Sequence, residues 1–177
     1  MRCIVDWFLS CWLRRGRYIW SKFRRRLFER KYLSTVLPEA GTLQDIEASL
    51  HMITWTMDGP LHLFDCISYP QTTWAKKKDD CDGFSTVAAE LLNRWNPDSN
   101  PVLVTALVHP IRYSHTVCAF TSQEGNLNYF DNYNLKSGDF TSYEDIIKSI
   151  TKERQLVCWD ARNPVNFDMI EFHKHNE

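Results

Sequence analysis

A chain of 177 residues with 44% hydrophobic and 14% aromatic content can bury one real core and is too apolar to be a disordered linker. Its net charge of −1 conceals a division: residues 1–33 carry eight Arg and two Lys against Asp6 and Glu29, or +8, and the rest of the chain carries −9. The six cysteines, Cys3, Cys11, Cys66, Cys81, Cys118 and Cys158, form no CxxC pair and no zinc spacing, which points to reduced thiols in a cytosol rather than to a metal module or a disulfide framework.

The first stretch, Met1 to Leu33, interleaves Trp7, Phe8, Trp12, Trp20 and Phe23 with arginines. At about 100° per residue, Ile19, Trp20, Phe23 and Leu27 share a helical face, with Arg17, Lys22, Arg24, Arg25 and Arg26 off it. Ile4 to Leu13 is apolar nearly all round but too short to span ~30 Å of hydrocarbon. It has no small-residue cleavage pattern and carries its charge on the wrong side for a signal peptide. Two readings follow: an interfacial helix on anionic lipid, or an arm packed on its own core or on a protein partner. Nucleic acid ranks below both, because a basic run alone is weak evidence. The location expected is the cytoplasm, free or peripheral on a membrane.

Leu37-Pro38-Glu39-Ala40-Gly41 marks a junction, dividing a basic helical arm, residues 1–37, from a main domain, residues 38–177. Thr42 with Asp45 predicts a capped helix that buries Leu43, Ile46, Leu50, Ile53 and Trp55 and stops at Asp58-Gly59-Pro60. Residues 61–80 read as irregular. A second helix is predicted from about Asp82 to Arg94, with Phe84, Val87, Ala88, Leu91 and Leu92 inward, broken at Asn96-Pro97. Val102 to Val108 is an apolar run fit for a central strand. A helix over Ser142–Ile150 and strands over Gln155–Trp159 and Val165–Phe172 complete the chain. The His173-Lys174-His175 tail reads as a solvated end rather than a chelate.

Between these lie Ser114–Phe120 and Asn126–Tyr133, a hairpin with a Gly-containing loop. Centring the hairpin on Gln123 pairs residues whose numbers sum to 246, which sets His115 directly opposite Asp131. Their Cβ atoms would then be roughly 4.5–5.5 Å apart on one face. The second helix, meanwhile, begins at Asp80-Cys81-Asp82-Gly83-Phe84. A thiol at a helix N-terminus meets unpaired N–H groups and the positive end of the dipole, which favour its anion. Cys81 as nucleophile, His115 as base and Asp131 as orienting carboxylate form a Cys-His-Asp set. Asp79, Asp80 and Asp82 oppose a thiolate unless they cap the helix and point away; they could also hold a calcium or other hard cation, the lesser reading.

The order Cys, His, Asp on helix, strand and strand, with the DCDGF and SHTVCAF segments, resembles the transglutaminase-like, papain-related cysteine enzymes over Tyr69 to Leu135, and within them the bacterial transglutaminase-like peptidases. The resemblance implies an α+β core with the nucleophile helix packed on an antiparallel sheet. It also implies acyl transfer to a protein or peptide substrate through a Cys81 thioester, without a cofactor. Peptidase comes first; transglutaminase or deamidase activity would use the same triad, and an inactive membrane- or partner-binding module is the reading from another class. Related enzymes use an upstream Gln or Trp as oxyanion donor, which makes Gln71 and Trp74 the candidates here.

Overall fold

The computed structural model describes residues 2–57 and 66–174, with side chains from residue 4 onward. The predicted break at Asp58-Gly59-Pro60, the start of the irregular stretch after it, the Cys3 side chain and His175 lie outside that set. The fold is α+β. Helices α1 (Arg2–Cys11) and α2 (Arg17–Arg24) form the arm, followed by α3 (Leu43–Leu50), β1 (Thr54–Trp55), α4 (Pro70–Lys76) and β2 (Lys78–Asp79). Then come α5 (Cys81–Trp95), β3 (Val102–His109), β4 (His115–Thr121), β5 (Leu127–Asp131), β6 (Asn134–Phe140), α6 (Tyr143–Thr151), β7 (Gln155–Arg162) and β8 (Met169–Lys174).

Strands β3 to β8 make one antiparallel sheet in the order β6-β5-β4-β3-β7-β8. Residues along β3 alternate between two helical layers, because side chains on a strand point to opposite faces. Val102, Val104, Ala106 and Val108 pack with Val117, Ala119 and Trp159 beneath Ile146 and Ile147 of α6. Leu103 and Leu107 face the other way, onto Leu9, Leu13 and Tyr18 of the arm. Beside the arm on that same face, Phe84, Val87, Ala88, Leu91 and Leu92 of α5 meet Cys118, Phe120 and Phe130. Each such large side chain contributes about 1.5–3 kcal/mol on burial, so α5 is fixed firmly over β4 and β5.

The helix capped by Thr42 is shorter than the sequence predicts. Its cap forms, with the Asp45 N–H donating to Thr42 Oγ1 at 3.1 Å, but α3 ends at Leu50. Trp55 therefore leaves the predicted buried stripe and stands exposed on β1, which pairs in parallel with β2. Strand β6 is a second departure. Asn132 turns the chain with a positive φ of 52°, and residues 134–140 return as a strand of mostly exposed side chains with no apolar alternation to announce it.

The arm is wound around an unexpected stripe. Leu9, Leu13, Arg17, Ser21, Arg25 and Glu29 are buried, one in every four residues. With 3.6 residues per turn such a row drifts about 40° at each step; π-helical turns at Trp12–Gly16 and Arg25–Glu29 wind more slowly and keep it on the body. The inward polar side chains are all engaged. Arg25 donates to the Ile67 and Ser68 carbonyls at 2.9 and 2.6 Å. Glu29 accepts from Ser68 Oγ, the Tyr69 N–H and Thr72 Oγ1. Tyr18 donates to Asp160 at 3.0 Å. The predicted apolar face of Ile19, Trp20, Phe23 and Leu27 points outward instead, and Arg17 and Arg25, expected off the packed face, lie on it.

Candidate active site

Asp80 is the N-cap of α5: its backbone is extended and its carboxylate accepts the Asp82 N–H at 3.0 Å. Cys81 is thus the first helical residue, beside N–H groups that have no partner within the helix. Asp79, Asp80 and Asp82 are each drawn off by a separate donor. Asp79 accepts from Thr73 Oγ1 and the Asp80 N–H, Asp80 caps, and Asp82 pairs with Arg17 from the arm. Gly83 makes room for this, because a Cβ there would lie 2.2 Å from Asp79 Cγ. Ligand atoms of Asp80, Cys81 and Asp82 lie within 4.8 Å of one another, but the Arg17 guanidinium already supplies Asp82 with a cation.

His115 opens β4 and Asp131 closes β5, with His115 Nε2 and Asp131 Oδ1 at 2.7 Å. They meet diagonally, not head-on. The observed pairs, Cys118 with Phe130 through Thr121 with Leu127, sum to 248 rather than 246. The hairpin is centred one residue later because Gly125, at φ +86°, adds a left-handed residue after a turn closed by Gly125 N–H to Ser122 O at 3.0 Å. A shift of two preserves the face, so side-chain reach closes the gap.

The bond to Asp131 leaves the other nitrogen of the ring for sulfur, and Cys81 borders the same cleft and the same small cavity as His115. Burial works against the charged ring, yet the bond to Asp131 and the nearby Cys81 sulfur outweigh it and push its pKa up to about 10. The hydrogen bond from His115 in turn lowers the pKa of Asp131. At neutral pH the ring is therefore an imidazolium held between a carboxylate and a sulfur. Burial pushes the Cys118 and Cys158 thiols up, the latter to about 12, and makes both inert.

Cys81, His115 and Asp131 open together onto a cleft of about 320 Å³, also lined by Trp55, Arg112, Tyr113, Lys152 and Arg154. A larger groove of about 700 Å³, around Leu43, Trp95 and Asn128, holds none of the three, so volume does not mark the chemistry. Neither predicted oxyanion candidate lines the cleft. Gln71 borders a separate cavity with Arg25 and Leu33, and Trp74 packs against the α5 core. Trp55 occupies the cleft instead; a two-residue strand has no periodicity by which to find it. Arg17 also escapes the sequence pattern, although it borders a small cavity with Cys81 and His115.

No protein-family model matches the chain, and no curated protein matches it significantly. Among solved structures it is similar to "Legionella pneumophila LapG (EGTA-treated)", with 13% sequence identity and a TM-score of 0.48. The likeness covers 76% of this chain and 66% of that one, just under two thirds of its length. So slight a likeness carries no function across.

Proposed function

We propose that this chain is a cysteine-dependent acyl-transfer enzyme, a peptidase in the first instance, with Cys81 as nucleophile, His115 as acid–base and Asp131 as the orienting carboxylate. The observation that carries this reading is the 2.7 Å hydrogen bond between Asp131 and His115 with Cys81 beside them at a helix N-terminus, all three open to one cleft. The imidazolium keeps its proton because the sulfur and the carboxylate share its charge. The Cys81 sulfur attacks the substrate carbonyl, forming a C–S bond and an oxyanion. N–H groups at the start of α5 and the indole of Trp55, which lines the cleft, would donate to that charge. His115 gives its proton to the leaving amine as the C–N bond breaks, leaving a thioester and a neutral ring. The ring then takes a proton from water, the hydroxide adds, and the thiolate leaves. If the amide attacked is a glutamine side chain, ammonia leaves and the acyl-enzyme gives deamidation with water or transglutamination with an amine.

Arg112, Lys152 and Arg154 make one wall of the cleft cationic, which favours substrates with acidic side chains near the bond attacked. The test is turnover of an acidic peptide mixture in ¹⁸O-water, read by mass spectrometry. Peptide products carrying ¹⁸O at a new carboxyl terminus identify hydrolysis of the main chain, and a Cys81→Ser protein should give none. Products that Cys81→Ser makes equally well, or no turnover of any amide by folded protein, would leave the chain as a binding module.

A further inference from the structure

The arm presents to solvent a face that a helix would ordinarily bury. Ile4, Trp7, Phe8, Ile19, Trp20, Phe23, Leu27 and Phe28 are all exposed, Ile4 to 72% and Ile19 to 66%. The side chains at 7, 11, 15, 19, 23, 27 and 31 are exposed without a break, opposite the buried row at 9, 13, 17, 21, 25 and 29. This outward stripe cannot turn inward, because the inward row is already bonded to the Ile67 and Ser68 carbonyls, Thr72 and Asp82, and Tyr18 beside it to Asp160. The charges are sorted in the same way. The acidic residues of the arm face the body: Asp6 meets His109 at 2.7 Å, and Glu29 is buried. Arg14, Arg15, Lys22, Arg26, Arg30 and Lys31 remain exposed. Among the described residues of the arm, the solvent face thus carries cations and large apolar groups, with no exposed carboxylate.

We propose that this face is a docking surface for an anionic lipid bilayer, on which the arm lies flat. Charge complementarity selects that occupant. A second copy meeting the arm symmetrically would set six exposed cations against the same six, whereas an anionic headgroup layer attracts them while its acyl region takes the aromatic stripe. Trp7 and Trp20 have the amphipathic rings suited to the boundary. No described helix is long and apolar enough to cross a membrane, so contact is from one side. This inference is independent of the proposed chemistry at Cys81.

The test uses the full chain and floats it with vesicles of phosphatidylcholine containing about 30% phosphatidylglycerol, or of phosphatidylcholine alone, at about 0.05 M salt. Binding should require the anionic lipid and fall as salt rises. Lys22→Gln/Arg26→Gln/Arg30→Gln should weaken it roughly 100-fold, at about fivefold per cation. Trp20→Ala/Phe23→Ala/Leu27→Ala should abolish it; both triple variants should melt as the wild type does, since every changed side chain is exposed. In the unmutated protein, lipids carrying a quencher on the acyl chain should quench tryptophan fluorescence. Wild type that stays unbound, binds both vesicles equally, or binds without quenching would overturn the proposal. So would a stable dimer without vesicle binding that the apolar triple variant splits into monomers, because the stripe would then be a protein interface.

Discussion

Replacing Arg17 with methionine keeps most of the volume of the side chain and removes its charge, leaving Asp82, 1% exposed, without its cationic partner. Removing one member of a buried ion pair costs about 3–5 kcal/mol, most of it the penalty of the stranded charge. In a chain of 177 residues each kcal/mol moves the midpoint by about 2–4 °C, so Arg17→Met should melt roughly 6–20 °C lower. A double-mutant cycle separates charge from packing. Asp82→Asn in the Arg17→Met background removes the stranded carboxylate, so the double variant should recover at least about 2 kcal/mol of that loss. The surviving folded Arg17→Met protein should also alkylate more slowly at Cys81, because an unneutralised carboxylate beside a thiolate repels it. Thermal melts and alkylation rates of the four proteins read both effects. An Arg17→Met protein that melts within about 2 °C of wild type, or a double variant no better than the single, would refute the coupling of arm to site.

Three further outcomes follow from the site. Asp131→Asn should lower turnover less than His115→Ala, since an amide still holds the ring but supplies no charge; both losses should fall within about 10²–10⁴ in single-turnover acylation. The pKa of His115 is raised from 6.5 to about 10, so the ion pair's stabilisation is complete below 6.5 and lost as pH rises through about 10. Asp131 is shifted the opposite way, and its contribution is present above the ordinary carboxylate range and lost as pH falls through its lowered value; pH-dependent melts of wild type and His115→Ala check both limbs. Gly83→Ala should fail to fold or lose several kcal/mol by denaturant titration, because the Asp79 side chain and the added Cβ cannot share the space.

Legibility varied with how local the determining physics was. The capping aspartate, the inward residues of α5 and the apolar β3 run are short-range signals, and the elements appear within a residue or two of their predicted bounds. The pairing of His115 with Asp131 was legible as a shared face but not in register, because the loop residue that takes a left-handed backbone, Gly125, moves the centre by one. Trp55 and Arg17 reach the site through tertiary contacts alone, one from a two-residue strand and the other from sixty-five residues upstream of Asp82. The inward face of the arm could not be read from amphipathicity, because it is held by buried hydrogen bonds to specific carbonyls and carboxylates while the apolar side faces out.

The most direct test of the proposed chemistry is the rate at which iodoacetamide at low excess alkylates each cysteine near pH 7, followed by peptide mass mapping. In Cys3→Ser protein the exposed Cys11 is the ordinary-thiol standard, and Cys66, Cys118 and Cys158, buried as Cys81 is, report labelling limited by access. An ordinary thiol is only a few per cent thiolate at this pH, so a nucleophile activated by His115 should label up to roughly 30-fold faster than Cys11, and His115→Ala should remove that advantage. If Cys81 labels no faster than Cys11, or keeps its rate without His115, the Cys81–His115–Asp131 set is scaffold and not an active site.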